Sequence, residues 1–412
     1  MLAIGTGMVV PSHVRAAPAA AAAPRWITGW SASPLDVSGP PAPPPGPHWP
    51  PVLNNVSLRQ RVALAATGER VRVRFSNVFG KEALHIAAAT VANVTGEGAL
   101  AASSMSVLRF GERPTVTIAP GAEVWSDPVA LPERLGSELA VSFHFDRPTR
   151  QRTVHSVSHD LTNKVAGNLV AAPQWSGAVV MPWSHVVTGV DVETRAPTRV
   201  LVAFGDSITE GGGGTLPRYP ELLAARLRGP AAHPRRGAGR VDVSVQNAGI
   251  AGNRLLVDGT GPRGLDRFAR DVLSQSGVTH TLILIGINDI GYSATPGLPD
   301  ASAPGARQVV AGLQQLVEQA NARGVKVLLG TLPPFKGARI HTPETEGKRR
   351  LVNEWIRSSP RKAYAVVDFD RALRDGADPL KLQPRYDSGD HLHPSVAGRA
   401  AMAGAVDLNL LR

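Results

Sequence analysis

The chain contains no cysteine. Disulfides, thiolate metal sites and a cysteine nucleophile are therefore excluded, while the compartment stays open, since an exported protein can also dispense with cysteine. Beyond its first 24 residues it has no apolar run long enough to span a membrane. Nucleic-acid binding has no motif behind it either. The net charge of +11 comes from 44 Lys and Arg against 33 Asp and Glu, spread along the chain. Its densest cluster, residues 233–240 (HPRRGAGR), is short, broken by glycine and free of aromatics. That pattern reads as a solvated basic loop, or secondarily as a patch drawn to an acidic polymer or an envelope surface. No Gly-Lys-Ser/Thr follows the glycine run 211–214, which reads as a flexible turn admitting substrate and not as a phosphate cradle. The sequence has no internal repeat.

At 412 residues the chain is too long for one ordinary core, so two domains are expected, and 43% hydrophobic residues is ordinary for a globular protein. Residues 1–24 carry Val9, Val10 and an alanine-rich run at 16–23, features of an export signal, although no Lys or Arg precedes Arg15. An exported protein, secreted or periplasmic, is the expectation. Residues 40–51 (PPAPPPGPHWPP) can form neither helix nor central strand and read as an extended surface segment.

From about residue 57 short alternating runs follow one another with turn residues between them, as at 71–75 (VRVRF), 115–118 (TVTI) and 139–143 (LAVSF). No helical period precedes about residue 200. Residues 25–197 are therefore expected to form an all-β, antiparallel, sandwich-like domain. Six of the seven tryptophans (Trp26, Trp30, Trp49, Trp125, Trp175, Trp183) lie here, most of them expected in the core, with a sugar-stacking platform as the minority reading. His155 and His159 read as surface residues that could reach a cleft rim.

After residue 198 the pattern changes. The apolar run 200–204 (VLVAF) predicts a strand buried on both faces. A helix over 220–227 follows, with Pro220 in its first turn and Gly229 ending it. Strands are predicted at 241–245, 282–285, 325–329 and 363–369. Helices are predicted around Leu265, Phe268, Val272 and Leu273, from Val309 to Ala320, at 344–357 and at 395–411. This alternation makes a parallel sheet covered on both faces, residues 198–412.

Ligands of open parallel sheets bind beyond the carboxyl ends of the strands. Ser207 stands after the first strand there, the glycine-rich 247–253 (NAGIAGN) after the second and 286–289 (GIND) after the third, while 387–394 (DSGDHLHP) precedes the last helix. A nucleophile, a close-approaching backbone, a side-chain amide and an acid–histidine pair converge on one edge, which is what acyl transfer through a serine requires. Two acid–histidine pairings are open, Asp390 with His393 and Asp387 with His391. Asn288 could instead only close a turn, and the Asp–His cluster could bind a metal, though the serine and amide blocks would then lack a purpose. Asp289 reads as a loop-bracing carboxylate.

The four blocks GDSIT, GIAGN, GIND and DHLHP, in that order across residues 198–412, resemble the SGNH/GDSL hydrolase superfamily of esterases. The resemblance implies a flavodoxin-like three-layer α/β/α domain. It implies Ser207 as nucleophile, an oxyanion hole from the backbone N–H groups of Ser207 and Gly252 with the Asn288 amide, His393 as base and Asp390 as its orienter. Residues 72–80 (RVRFSNVFG) and 126–131 (SDPVAL) are similar to the front domain of a bacterial branch with an N-terminal β-domain, some of whose members are associated with xylan breakdown. The expectation is an esterase for short acyl, foremost acetyl, groups on small-molecule or polysaccharide esters, with no cofactor, no metal and no nucleic-acid partner. The alternatives are an O-acyltransferase using the same serine and a carbohydrate-binding protein with an idle hydrolase fold. Oligomeric state is left open.

Overall fold

The computed structural model describes residues 22–37, 52–95, 99–131, 136–155, 162–181, 183–212, 216–229, 242–292, 304–358 and 363–411. The export-signal reading of residues 1–24, the proline-rich 40–51, the basic 233–240, His159, Trp49 and Gly213–Gly214 fall wholly or mainly outside these residues.

Among the described residues before 198 the only helix is a 3-10 turn, Ala102–Ser104, and the paired strands are antiparallel. One sheet has four strands in the order Arg25–Ser31, Val187–Thr194, Arg70–Ser76 and Glu123–Trp125; a second has six, with Glu138–Phe145 near its centre. Leu139, Val141, Phe143 and Phe145 recur at every second residue and are fully buried, as the two-residue period of a strand requires. The sheets meet through rings: Phe75 of one lies 5.7 Å from Phe143 of the other, nearly perpendicular to it, a geometry aromatic quadrupoles favour.

The second half opens with β1 (Thr198–Gly205), then β2 (Asp242–Gly249), β3 (Val278–Leu284), β4 (Lys326–Gly330) and β5 (Ala365–Val367). All neighbours pair in parallel, in the order β2-β1-β3-β4-β5, the flavodoxin-like arrangement. Val200, Leu201, Val202 and Phe204 have no exposed surface, because β1 has neighbours on both sides and helices over it. The helices are α1 (Ser207–Glu210), α2 (Tyr219–Arg228), α3 (Gly264–Phe268), α4 (Ile287–Gly291), α5 (Ala306–Ala322), α6 (Pro343–Arg357), α7 (Phe369–Leu373) and α8 (Val396–Ala405). α8 packs on α2 and α7, and α5 on α3 and α6. In α5 the predicted Val309, Leu313, Leu316, Val317 and Ala320 form the buried stripe.

β2 would leave an open sheet edge, a template for unwanted pairing. Strand Arg25–Ser31 of the first half covers it: Ser244 Oγ donates to Thr28 O at 2.6 Å and Gln246 Nε2 to Gly29 O at 3.2 Å. Several boundaries depart from the sequence reading, among them the start of the strand expected at 282–285, which lies at Val278. The strand expected over 363–369 stops at Val367, because the Asp368 carboxylate accepts the Arg371 N–H and starts α7 at Phe369. The last helix ends at Ala405, and the Asp407 carboxylate, accepting from Asn409 N, begins a separate 3-10 turn, Leu408–Leu411. The strand expected to end at Val245 runs on to Gly249.

Candidate active site

β1 ends at Gly205, and Asp206 caps α1 by accepting the Ile208 N–H at 3.0 Å. Ser207 is thereby the first helical residue, and the cap is its neighbour. The helix lies hard against β2: a Cβ on Gly249 would come within 2.2 Å of the Glu210 nitrogen, so only glycine permits this approach.

The loop before α8 brings His393 up to Ser207. Ser207 Oγ lies 2.8 Å from His393 Nε2, and His393 Nδ1 lies 2.5 Å from Asp390 Oδ2. An ionised carboxylate can only accept, so Nδ1 carries the proton; the lone pair of neutral His393 is then on Nε2, where the serine hydroxyl donates to it. Asp390 is also gripped by the backbone, its Oδ1 accepting from His393 N at 2.8 Å and Leu392 N at 3.0 Å. Partial burial pushes its carboxyl up, but the hydrogen bonds from His393 and the two backbone N–H groups outweigh it and hold the group well below the usual carboxylate range. The second pairing forms too: His391 Nδ1 lies 2.6 Å from Asp387 Oδ2. His391 sits in the left-handed region at φ 64°, a strained conformation for a residue with a side chain. Only the His393 pair touches Ser207.

Gly252 stands at φ 71°, suited to glycine. Asn288 is buried in the first turn of α4, its Nδ2 donating to Asn253 O at 3.0 Å; one amide hydrogen is thus anchored and the second remains for another acceptor. Asp289 braces the loop as expected, accepting Leu255 N at 2.7 Å and Leu256 N at 2.9 Å. Burial raises its carboxyl to about 6 against those bonds. Among the described residues no three His, Asp or Glu side chains gather as a metal site.

His155 corrects its sequence reading: it is buried, not a surface residue. Its Nδ1 faces Ser33 O at 2.9 Å and its Nε2 faces Glu210 Oε1 at 3.5 Å. A carbonyl cannot donate, so Nδ1 holds the proton and Nε2 is bare when the ring is neutral. Burial lowers the imidazole to about 4 and raises the Glu210 carboxyl to about 8. At neutral pH a neutral histidine therefore meets a protonated glutamate, directly behind the serine turn. Sequence reading missed Glu210 because nothing local marks it as buried. Its linkage has a definite sign. An acid with a raised folded-state value stabilises fully below its ordinary value of 4.5, and the contribution is lost as pH rises through about 8. Glu210→Gln, which cannot ionise, is expected to match the wild type near pH 5 and to exceed its stability by about 1–3 kcal/mol at pH 9. Thermal midpoints at the two pH values check this; an unchanged difference between them removes Glu210 as the titrating group.

The tryptophans are also corrected. Among those described, Trp30 alone is fully in the core. Trp26, Trp125 and Trp175 are half-buried beneath arginines, with Arg72 4.5 Å from the Trp125 centroid and Arg59 4.1 Å from that of Trp175. The first half nonetheless reaches the site from below: Leu35, Val37 and Val154 form one apolar cluster with Ile250 of the glycine-rich loop.

The family model for GDSL-like lipases and acylhydrolases matches residues 203–401. No curated protein matches the chain. Solved structures similar to it include a GDSL-like lipase from Bacteroides thetaiotaomicron (19% identity, 52% of this chain and 88% of that one, TM-score 0.38). An alpha/beta hydrolase from the metagenome of Lake Arreo is 23% identical over 51% and 94%, with TM-score 0.39. An acetylxylan esterase from Geobacillus stearothermophilus is 24% identical over 50% and 91%, with TM-score 0.38.

Proposed function

Because residues 203–401 match the family model of GDSL-like lipases and acylhydrolases, we propose that this chain is a serine esterase that removes short acyl groups, acetyl foremost, from hydroxyls such as those of carbohydrates. The observation that carries the reading is the continuous hydrogen-bonded chain from Ser207 through His393 to Asp390. In this mechanism Nε2 of His393 takes the hydroxyl proton as Oγ attacks the ester carbonyl. The Ser207 and Gly252 N–H groups and the Asn288 amide receive the oxyanion, and the imidazolium returns the proton to the departing alcohol. Water then repeats the cycle on the acyl-serine. Residues 1–24 support export of the protein.

The acyl preference is supported by where the bulky side chains of the site loops go. Ile208, Ile250, Ile287 and Ile290 are all buried, at 3% exposure or less, and leave glycine and polar groups to face the substrate. A long acyl chain needs an apolar groove that contributes roughly 0.8 kcal/mol per buried methylene. His393 and Asp390 are 36% and 51% exposed, which suits a bulky alcohol approaching from solvent. The expected result is a kcat/KM for aryl esters that is highest for acetate and falls as the acyl chain lengthens, together with acetate release from acetylated polysaccharide. Efficiency rising toward dodecanoate sinks the short-acyl reading, and a polyol that captures the acyl group in preference to water makes the protein an acyltransferase.

A further inference from the structure

Arg267 has no exposed side-chain surface. A buried guanidinium is costly unless its donors are met, and here every nitrogen donates. Nε donates to Asn253 Oδ1 at 2.9 Å, Nη1 to Ala248 O at 2.9 Å and to Asp271 Oδ2 at 3.0 Å, and Nη2 to Gly205 O at 2.7 Å. Its plane lies 4.1 Å from the Phe204 ring centroid. Gly205 ends β1 two residues before Ser207. Ala248 lies near the end of β2, just ahead of the loop that carries Gly252. Asn253 follows Gly252, and its carbonyl anchors the Asn288 amide. One guanidinium therefore ties together the three segments that present the Ser207 N–H, the Gly252 N–H and the Asn288 side chain.

We propose that Arg267 is a positioning residue for the oxyanion hole, clamped by Asp271 and, through Arg270, by the N-terminal β-region. The inference rests on the serine-esterase reading above. Arg270 Nε donates to Asp271 Oδ1 at 2.6 Å, its Nη2 to Pro34 O at 3.0 Å, and its guanidinium lies 5.2 Å from the Phe79 ring centroid. Phe79 belongs to the 72–80 segment of the first half. Arg270 and Asp271 sit in a π-helical turn, Ala269–Leu273, a rare conformation that gathers at functional sites. Burial alone would disfavour the Asp271 charge, but the two arginines outweigh it and hold its carboxyl below the usual range. Burial lowers Arg267 to about 10 and still leaves it a cation at neutral pH. Oxyanion donors must converge within about 2.7–3.1 Å of a position the oxygen occupies only in the transition state, so a slackened clamp costs turnover more than substrate affinity.

A double-mutant cycle between Arg267→Lys and Asn288→Ala in the full-length chain tests this, with aryl acetate as substrate and cooperative thermal unfolding confirmed for each variant. Lysine keeps the charge but cannot fork across four partners. Arg267→Lys is expected to lower kcat on the order of tenfold to a hundredfold with KM changed less than about threefold. In the Asn288→Ala background the same substitution should cost at least about fivefold less, because the amide it helps to hold is gone. Should Arg267→Lys not fold, Arg270→Ala removes only the outer anchor; it should lower kcat several-fold and do so less when Asn288 is absent. Equal losses in both backgrounds, or wild-type kcat in a folded variant, overturn the positioning role alone. Wild-type protein that hydrolyses no aryl ester overturns the esterase reading and this inference with it.

Discussion

Ser207→Ala is expected to lower kcat on aryl acetates by roughly a million-fold, the cost commonly seen when a member of a serine triad is lost. The physical reason is that no other group in the chain can form the covalent intermediate at that point. His393, with its bare Nε2 facing the missing hydroxyl, could at best activate a water, and the proposed oxyanion donors would retain their smaller share of the rate. The fold should hardly respond. Ser207 is the first residue of α1, where alanine is a good helix former, and the capping bond belongs to Asp206. The serine is only half-buried, so loss of one oxygen leaves no sealed cavity, and stability should stay within about 0.5 kcal/mol of the wild type. The measurements are steady-state kinetics, a thermal midpoint and covalent labelling by a fluorophosphonate, which should disappear. A folded Ser207→Ala variant that still turns over at a hundredth of the wild-type rate would falsify the serine mechanism.

What was legible in the sequence is what local chemistry writes there. The apolar run of β1 and the helical stripe of α5 were readable because their periods are imposed by the backbone itself. Asp289 was readable as a brace because a carboxylate after a buried strand has few other uses. The parallel half and its site blocks followed from strand ends, where topology gathers ligands. Arg267 was not readable. Between Leu265 and Phe268 an arginine looks solvated, and its partners at Gly205 and Ala248 are backbone carbonyls remote in sequence. The burial of His155 has the same cause, since its neighbour Glu210 belongs to the other half of the chain. The half-buried tryptophans escaped because arginine stacking leaves no period to detect. Boundaries near Asp368 and Asp407 shifted because a side-chain cap competes with a strand or helix over a single residue.

Asp390→Asn carries the second large effect, and it decides between two acid–histidine pairs that spacing alone leaves open. Both exist in the fold, 2.5 Å for Asp390 with His393 and 2.6 Å for Asp387 with His391. The Asp390 carboxylate compels the His393 proton onto Nδ1 and leaves Nε2 free to accept from Ser207. An asparagine can turn its NH2 toward Nδ1 instead, which moves the ring proton to Nε2, and a protonated Nε2 cannot act as base. The expected loss in kcat is about ten-thousand-fold, the magnitude seen when a triad aspartate becomes asparagine. The loop itself should persist, because an amide oxygen can still accept the Leu392 and His393 N–H bonds. Asp387→Asn disturbs a histidine that does not touch Ser207, so its loss should stay below about tenfold, that of a neighbouring-loop adjustment. Kinetics of the two variants side by side on one aryl acetate make the comparison. If Asp387→Asn proves the more damaging, the base is His391, and the hydrogen bond between Ser207 and His393 is not the one that carries the proton.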